Sequence, residues 1–262
     1  MAQDSADALV RMLHLHERRE PAVVEVATWV GLGVIEGRLR PGQDLNSVDL
    51  SHRFNCSRTP VREALMLLEQ EGLVEMRARH RPRVAPFTAE VVREIYTVRQ
   101  YLFALVARLV VEHAQDAEIA DMEQRTAVMS EQAASGDIEG YFWSHAALHE
   151  RMTEIAGNGT LKGILDSLAL RTLIVRHAGI SQPGRLHESA EHQRRIVQAI
   201  KQRDADLAAL LLSRSTMAAL AAIVESGWLD SWTHGLPVRK LQRERTPAAE
   251  PEPEAAAGAA AG

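Results

Sequence analysis

Ser57-Arg58-Thr59-Pro60-Val61-Arg62-Glu63-Ala64-Leu65 is the stretch on which the reading of this chain turns. Thr59 suits the cap of a helix whose first position is Pro60, where a missing backbone N–H costs no hydrogen bond. Val61, Ala64, Leu65 and Leu68 follow at the i, i+3, i+4, i+7 spacing of one buried face. Arg58 then stands just ahead of the helix and Arg62 in its first turn, both pointing away from the apolar stripe. Two long cationic donors at the start of a rigid helix suit base edges and phosphates in a DNA major groove. The same residues also fit a surface helix with two solvated arginines. Their neighbours decide between the two.

Upstream, Pro21 opens a helix over 22–36 with Val23, Ala27, Val30 and Val34 on one face. Gly31, Gly33 and Gly37 follow no strand and lack the spacing of a dinucleotide-binding loop, and Gly37 reads as the helix stop. A turn over 39–42 leads to a second short helix over 47–54, with Leu50 inward. Asn55-Cys56-Ser57 makes a tight connection into the Pro60 helix, which ends at Gly72. Two β-like runs, 73–77 and 83–87, flank a basic tip over 78–82. Three helices and a small hairpin make a winged helix-turn-helix. Between Arg53 and Arg83 the chain carries seven arginines against four glutamates, so the basic excess falls where the Pro60 helix sits.

The whole molecule is no polycation: its formal net charge is -5, which leaves a local patch as the only route to nucleic acid. A length of 262 residues fits two domains, and 46% hydrophobic residues with only 4% aromatics favours helix packing over a sheet sandwich. The single cysteine, Cys56, excludes an intrachain disulfide and reads as a small buried hydrophobe. No apolar run reads as a membrane span and no signal peptide opens the chain, so a soluble cytoplasmic protein is expected.

Residues 1–20 read as a polar N-terminal extension with a short helix over 6–18 and solvated His14 and His16. Residues 21–87 form the winged domain. Residues 88–236 read as an all-helical bundle, with helices near 89–113, 117–134, 138–156, 161–176, 185–201 and 205–229. The breaks carry turn residues, as in Ser135-Gly136-Asp137 and Gly157-Asn158-Gly159. Residues 237–262, a basic stretch and then Pro/Glu/Ala low complexity, read as a disordered tail. The fold class is mainly α.

The chain resembles the GntR family of transcription regulators, in the subgroup with a FadR-type (FCD) helical ligand-binding domain. The motifs carrying the resemblance are Pro41-Gly42, the 57–65 stretch, Leu68-Glu69, Glu71-Gly72-Leu73-Val74 and Val84-Ala85-Pro86. The helical part matches more loosely, through Tyr96-Thr97-Val98-Arg99, His149 nine residues before Asn158, and Pro183-Gly184-Arg185-Leu186. The resemblance implies a homodimeric repressor on a pseudo-palindromic operator, with DNA contacts from Ser57, Arg58, Thr59 and Arg62. Where relatives place glycine at the wing tip this chain has Arg81, so the wing contact is expected from that side chain.

Many FCD domains hold a divalent metal with an Asp-x3-His pair and two further histidines. Here the pair becomes His145-x3-His149, and the other two ligand positions fall on Gln193 and Ser215. His145 and His149 alone could share a metal, but the set is incomplete, so no cofactor is expected. The resemblance instead makes Arg99 the holder of an effector carboxylate, in a pocket with His145, His149, Gln193 and Ser215, open to an organic acid or an acyl compound. An intra-bundle ion pair is the other reading of Arg99. Two competing functions remain. A metal-dependent enzyme centred on His145 and His149 lacks an assignable base, and Glu150 directly after His149 is not the His-Glu-x-x-His arrangement. A helical scaffold with a vestigial DNA-binding module would bind DNA only weakly and without sequence preference.

Overall fold

The structure, a computed structural model, describes residues 6–10, 13, 20–86, 88–229 and 232. Its first domain is built from α1 (Pro21–Ile35), α2 (Ser47–Arg53), α3 (Arg58–Gln70), β1 (Val74–Glu75) and β2 (Arg83–Val84). Proline sits at the start of α1, where no N–H is needed, and Asn46 caps α2 by accepting from the Val48 amide. The apolar stripe of α3, Val61, Ala64, Leu65 and Leu68, is fully buried and packs on α1. Each large side chain in it contributes about 1.5–3 kcal/mol of burial.

The hairpin is shorter than predicted. Val74 pairs with Val84 and Glu75 with Arg83, and the segment 42–45 bonds along the opposite edge of the second strand. Gly42 N donates to Val84 O, Val84 N to Gln43 O and Leu45 N to Pro82 O.

Glycines 31 and 33 serve packing. A Cβ on Gly31 would stand 2.8 Å from Leu9 Cδ2, and one on Gly33 2.9 Å from Leu39. This corrects the reading of residues 1–20 as a polar extension. Residues 6–10 are helical, and Leu9 and Leu13 are buried in the winged-domain core. His14, His16, Phe87 and the tail from 237 lie outside the described residues. Cys56 is half-buried rather than buried.

The second domain is a bundle of α4 (Ala89–His113), α5 (Asp116–Ser135), α6 (Ile138–Ile155), α7 (Gly159–Ile180), α8 (Arg185–Lys201) and α9 (Ala205–Glu225). Each boundary has a local cause. Thr88, Asp137, Asn158 and Asp204 cap their helices through side-chain oxygens, and Gln115 with Glu118 forms a capping box. Helix α7 runs to Ile180, a turn beyond the predicted end at Arg176, so Arg176 sits inside a helix rather than at its exit. Helix α9 corrects another expectation, since with a mean hydropathy of 1.9 it is long and apolar enough by composition to cross a membrane. It packs along α4 and α8 as a bundle helix.

Candidate functional site

Two sites stand out, one at the start of α3 and one inside the bundle. The first starts two residues earlier than expected. Helix α3 begins at Arg58, with Ser57 extended at the N-cap and making no side-chain cap hydrogen bond. Thr59 is therefore a helical residue rather than the cap, and Pro60 is the third position, still among the residues whose N–H has no helical partner. Arg58 occupies the first position and Arg62 the second turn. Ser57, Arg58, Thr59 and Arg62 are all exposed, and neither arginine makes an ion pair among the described residues. The turn feeding this start is tight. Asn55 adopts φ 47°, and Cys56 N donates to Ser51 O at 3.1 Å.

The other arginines of the basic stretch are mostly engaged. Arg53 lies over the Trp29 ring with its Cζ 4.3 Å from the centroid. Glu75 accepts from Arg77 at 2.5 Å and Arg83 at 2.7 Å, and these bonds hold its carboxyl below the usual range. Arg81 is exposed and stands 3.7 Å from Asp44, a loose surface pair of little energetic weight. The wing residue with a left-handed backbone is Arg79, at φ 64°.

Inside the bundle a cavity of two lobes lies between α4 and its neighbours. The outer lobe, about 100 Å³, is lined from α4, α6 and α7. The inner lobe, about 40 Å³, adds residues of α8 and α9. Arg99, Phe103, His149 and Arg176 line both lobes and so form the waist between them. Arg99 is buried. One terminal nitrogen donates to Thr172 Oγ1 at 3.0 Å, its Cζ sits 4.7 Å from the Phe103 centroid, and its Nε has no partner. Burial and the neighbouring Arg176 cation push its pKa down to about 9, which still leaves it charged at neutral pH.

The residues predicted around Arg99 do come together. His145 and His149 stack with centroids 4.4 Å apart, one helical turn from each other on α6. Gln193 of α8, fully buried, reaches both: its Oε1 lies 3.3 Å from His149 Nε2 and its Nε2 3.2 Å from His145 Nε2. Gln193 Nε2 also points to Ser215 Oγ at 3.5 Å. Burial, with the nearby arginines, holds both histidines well below the usual imidazole range, so both rings are neutral. One amide bonded to two neutral imidazoles forces opposite tautomers. One ring gives Nε2–H to the amide oxygen, while the other accepts from the amide nitrogen. This donor set does not fit a divalent cation. Both Nε2 atoms are committed to the amide, two guanidinium groups face the same space, and no His, Cys, Asp or Glu trio gathers among the described residues.

Arg176 is the residue the sequence reading missed. Part of its side chain is exposed, but its Nε and one terminal nitrogen are buried without a partner. Burial lowers its pKa. Its only signal was an arginine directly after the apolar run Leu173-Ile174-Val175. Helix α7 carries Arg176 into the cavity, offers Thr172 to Arg99 and, from Arg171 beside them, reaches the other domain. Arg171 Nε donates to Glu71 O at 3.4 Å, and the guanidinium covers Gly72 so closely that a Cβ there would collide with it.

Comparison with known proteins agrees with this architecture. The sequence model of the bacterial regulatory proteins, gntR family, matches residues 32–84, and that of the FCD domain matches 94–216. The probable D-xylose utilization operon transcriptional repressor of Paenarthrobacter nicotinovorans is 26% identical over 79% of this chain and 91% of its own. The gluconate operon transcriptional repressor of Bacillus subtilis is 25% identical over 69% of this chain and 76% of its own. Among solved structures, E. coli McbR/YncC superposes with a TM-score of 0.68 at 20% identity, over 79% of this chain and 99% of that one. A regulator from Rhodococcus sp. RHA1 gives 0.63 at 22% identity, over 78% and 97%. With both halves matched in order and the same two-domain fold in its neighbours, the chain belongs to the GntR family and is a transcriptional regulator with an FCD domain behind its winged helix.

Proposed function

We propose that the protein is a cytoplasmic homodimeric repressor that binds operator DNA through the start of α3 and is controlled by a small organic acid bound in the bundle. The observation that carries this reading is α7, one helix that lines the cavity with Leu173 and Arg176, holds Arg99 through Thr172, and touches the end of the recognition helix with Arg171. An effector that moves α7 shifts the balance between DNA-competent and incompetent arrangements by its differential affinity for them. Arg58 and Arg62 reach base edges, Ser57 and Thr59 reach phosphate, and Arg81 approaches the adjoining minor groove once DNA competes with Asp44.

Lobes of about 100 and 40 Å³ favour a compact acid over a long acyl chain. The dimer reading is supported by the exposed Val98, Tyr101 and Leu105 on one face of α4. Leu207 and Leu210 are exposed too, on α9, whose Asp206 pairs with Arg108 of α4. A stripe of that kind wants a second copy.

The test is a mobility-shift titration on DNA flanking the protein's own gene, with unrelated DNA as competitor. Sequence-selective binding by a dimer, weakened or strengthened by one class of small acid, is the expected result. Binding that is equal on both DNAs and vanishes at moderate salt would return the chain to the scaffold reading.

A further inference from the structure

Two guanidinium groups meet at the waist of the cavity without a carboxylate between them. Arg99 and Arg176 both face the waist and neither has a carboxylate partner among the described residues; of the two acidic side chains that line the outer lobe, Asp166 is tied to Lys162 and Glu150 pairs with neither arginine, and the inner lobe has none. Arg185 also lines that lobe but is tied to Glu188 at 2.5 Å, so its charge is answered within the protein. The two histidines add none, being neutral. Two uncompensated guanidinium groups therefore stand out of water in one small space.

Around them sit further polar atoms with nothing to bond: Arg99 Nε, Arg176 Nε and a terminal nitrogen, and the Nδ1 atoms of His145 and His149. Because Gln193 sets opposite tautomers, one of those Nδ1 atoms is a donor and the other an acceptor. Buried polar groups are normally satisfied, and a set of unpaired donors gathered at a waist marks where an absent partner belongs.

We propose that this site takes a small organic dianion, gripped by Arg99 and Arg176 together and bound without a metal. The proposal rests on the regulator reading and narrows its effector. Arg176 supplies the second positive charge, and the amide of Gln193 fixes the imidazoles that meet the polar remainder of the ligand. A dianion restores neutrality at the waist, where a monoanion leaves one guanidinium unpaired. The lobe sizes limit it to a short chain.

The experiment is calorimetric titration of the full-length protein with succinate, glutarate and adipate, with glycerol phosphate, and with butyrate as the matching monoanion. Each is run before and after dialysis against EDTA. The expected result is that one dianion binds at least tenfold more tightly than butyrate, unchanged by EDTA. Whether it is a dicarboxylate or the phosphate ester then names the source of the two charges. Arg176→Gln should bring that preference to within about threefold, and Arg176→Lys, which keeps the charge, should recover part of it.

Equal affinity for mono- and dianions, loss of binding on EDTA treatment with recovery by zinc or nickel, or no binding by any probe would each overturn the proposal. The mobility shift with Arg176→Gln separates the two readings. Operator binding that survives while every acid fails discards the dianion and leaves the DNA-binding assignment in place.

Discussion

Arg58 and Arg62 stand in water and Arg99 and Arg176 stand largely out of it, yet neither pair meets a carboxylate within the described protein. At the start of α3 an unpaired cation is hydrated, costs nothing, and is free to exchange its water for a phosphate or a guanine edge. In the bundle the same group has lost most of its water, which destabilises the folded chain until something anionic arrives. The first pair recruits a partner from solution by field and shape. The second pair makes the fold itself poorer without its partner, which couples ligand binding to the state of the whole domain.

The largest effect belongs to the exposed pair. Arg58→Ala with Arg62→Ala should weaken operator binding by at least a hundredfold, at about 1–3 kcal/mol for each lost base contact. Thermal stability should stay within about 0.5 kcal/mol of the parent, because hydrated surface residues contribute little. A mobility shift read beside a thermal melt checks both halves. Undiminished, sequence-selective binding by the double variant would break the comparison at its first term.

The buried pair should behave in the opposite way. Arg99→Met removes an uncompensated charge from the interior and leaves an apolar side chain of similar reach beside Phe103. Replacing buried ionic groups by well-packed hydrophobes often stabilises by about 1–4 kcal/mol. The ligand-free variant should therefore melt several degrees higher than the parent while losing its thermal response to acids. A lower melting temperature in the variant would mean that the Thr172 bond and ring contact outweigh the cost of the charge.

The contrast also explains what could be read from the chain itself. The winged domain was legible because its signals are local: the 3.6-residue stripe at Val61, Ala64, Leu65 and Leu68, the turn at Asn55, the stop at Gly72. Its errors were local too, a shift of the α3 start from Pro60 to Arg58. The pocket was half legible. Arg99, His145, His149, Gln193 and Ser215 were identified through family spacing, and the structure brings the last four into one hydrogen-bonded group. Arg176 was lost because burial of a charge is a property of three helices meeting, and no window on α7 alone contains it. Leu9 was missed for the same reason, since the notch that receives it is Gly31.

Acid sharpens the comparison from the side of the histidines. In the folded state His145 and His149 are held well below the ordinary imidazole value by burial and by Arg176 and Arg99, His145 also by His149. In the unfolded chain both titrate near 6.5. Below that pH the unfolded state binds protons that the native state refuses, so stability falls as pH falls. The slope reaches about 1.4 kcal/mol per pH unit for each ring and ends only at the folded pKa. Melts at pH 7.5, 6.5 and 5.5 should show the loss. A variant carrying His145→Leu and His149→Leu should show a flatter dependence, whatever its absolute stability. An unchanged slope would mean that these rings are not the groups being protonated.

The smallest effect on stability should come from Arg171, and it tests whether the two regions communicate at all. Its guanidinium is half-buried over Gly72, and its single recorded bond, to Glu71 O, is long at 3.4 Å. Arg171→Ala should cost about 0.5–1.5 kcal/mol or less, the ordinary worth of such a bond. It leaves Arg58 and Arg62 untouched at the other end of α3, and it leaves Arg99 and Arg176 in the cavity with Thr172 behind Arg99. Operator affinity without effector and acid affinity without DNA should both stay within about threefold of the parent. What should fall is their product: the change in operator affinity on adding the acid, a coupling that must be equal when measured in either order. A variant with full coupling would show that α7 does not carry the signal through this contact. Another route would be the packing of α1 on α7.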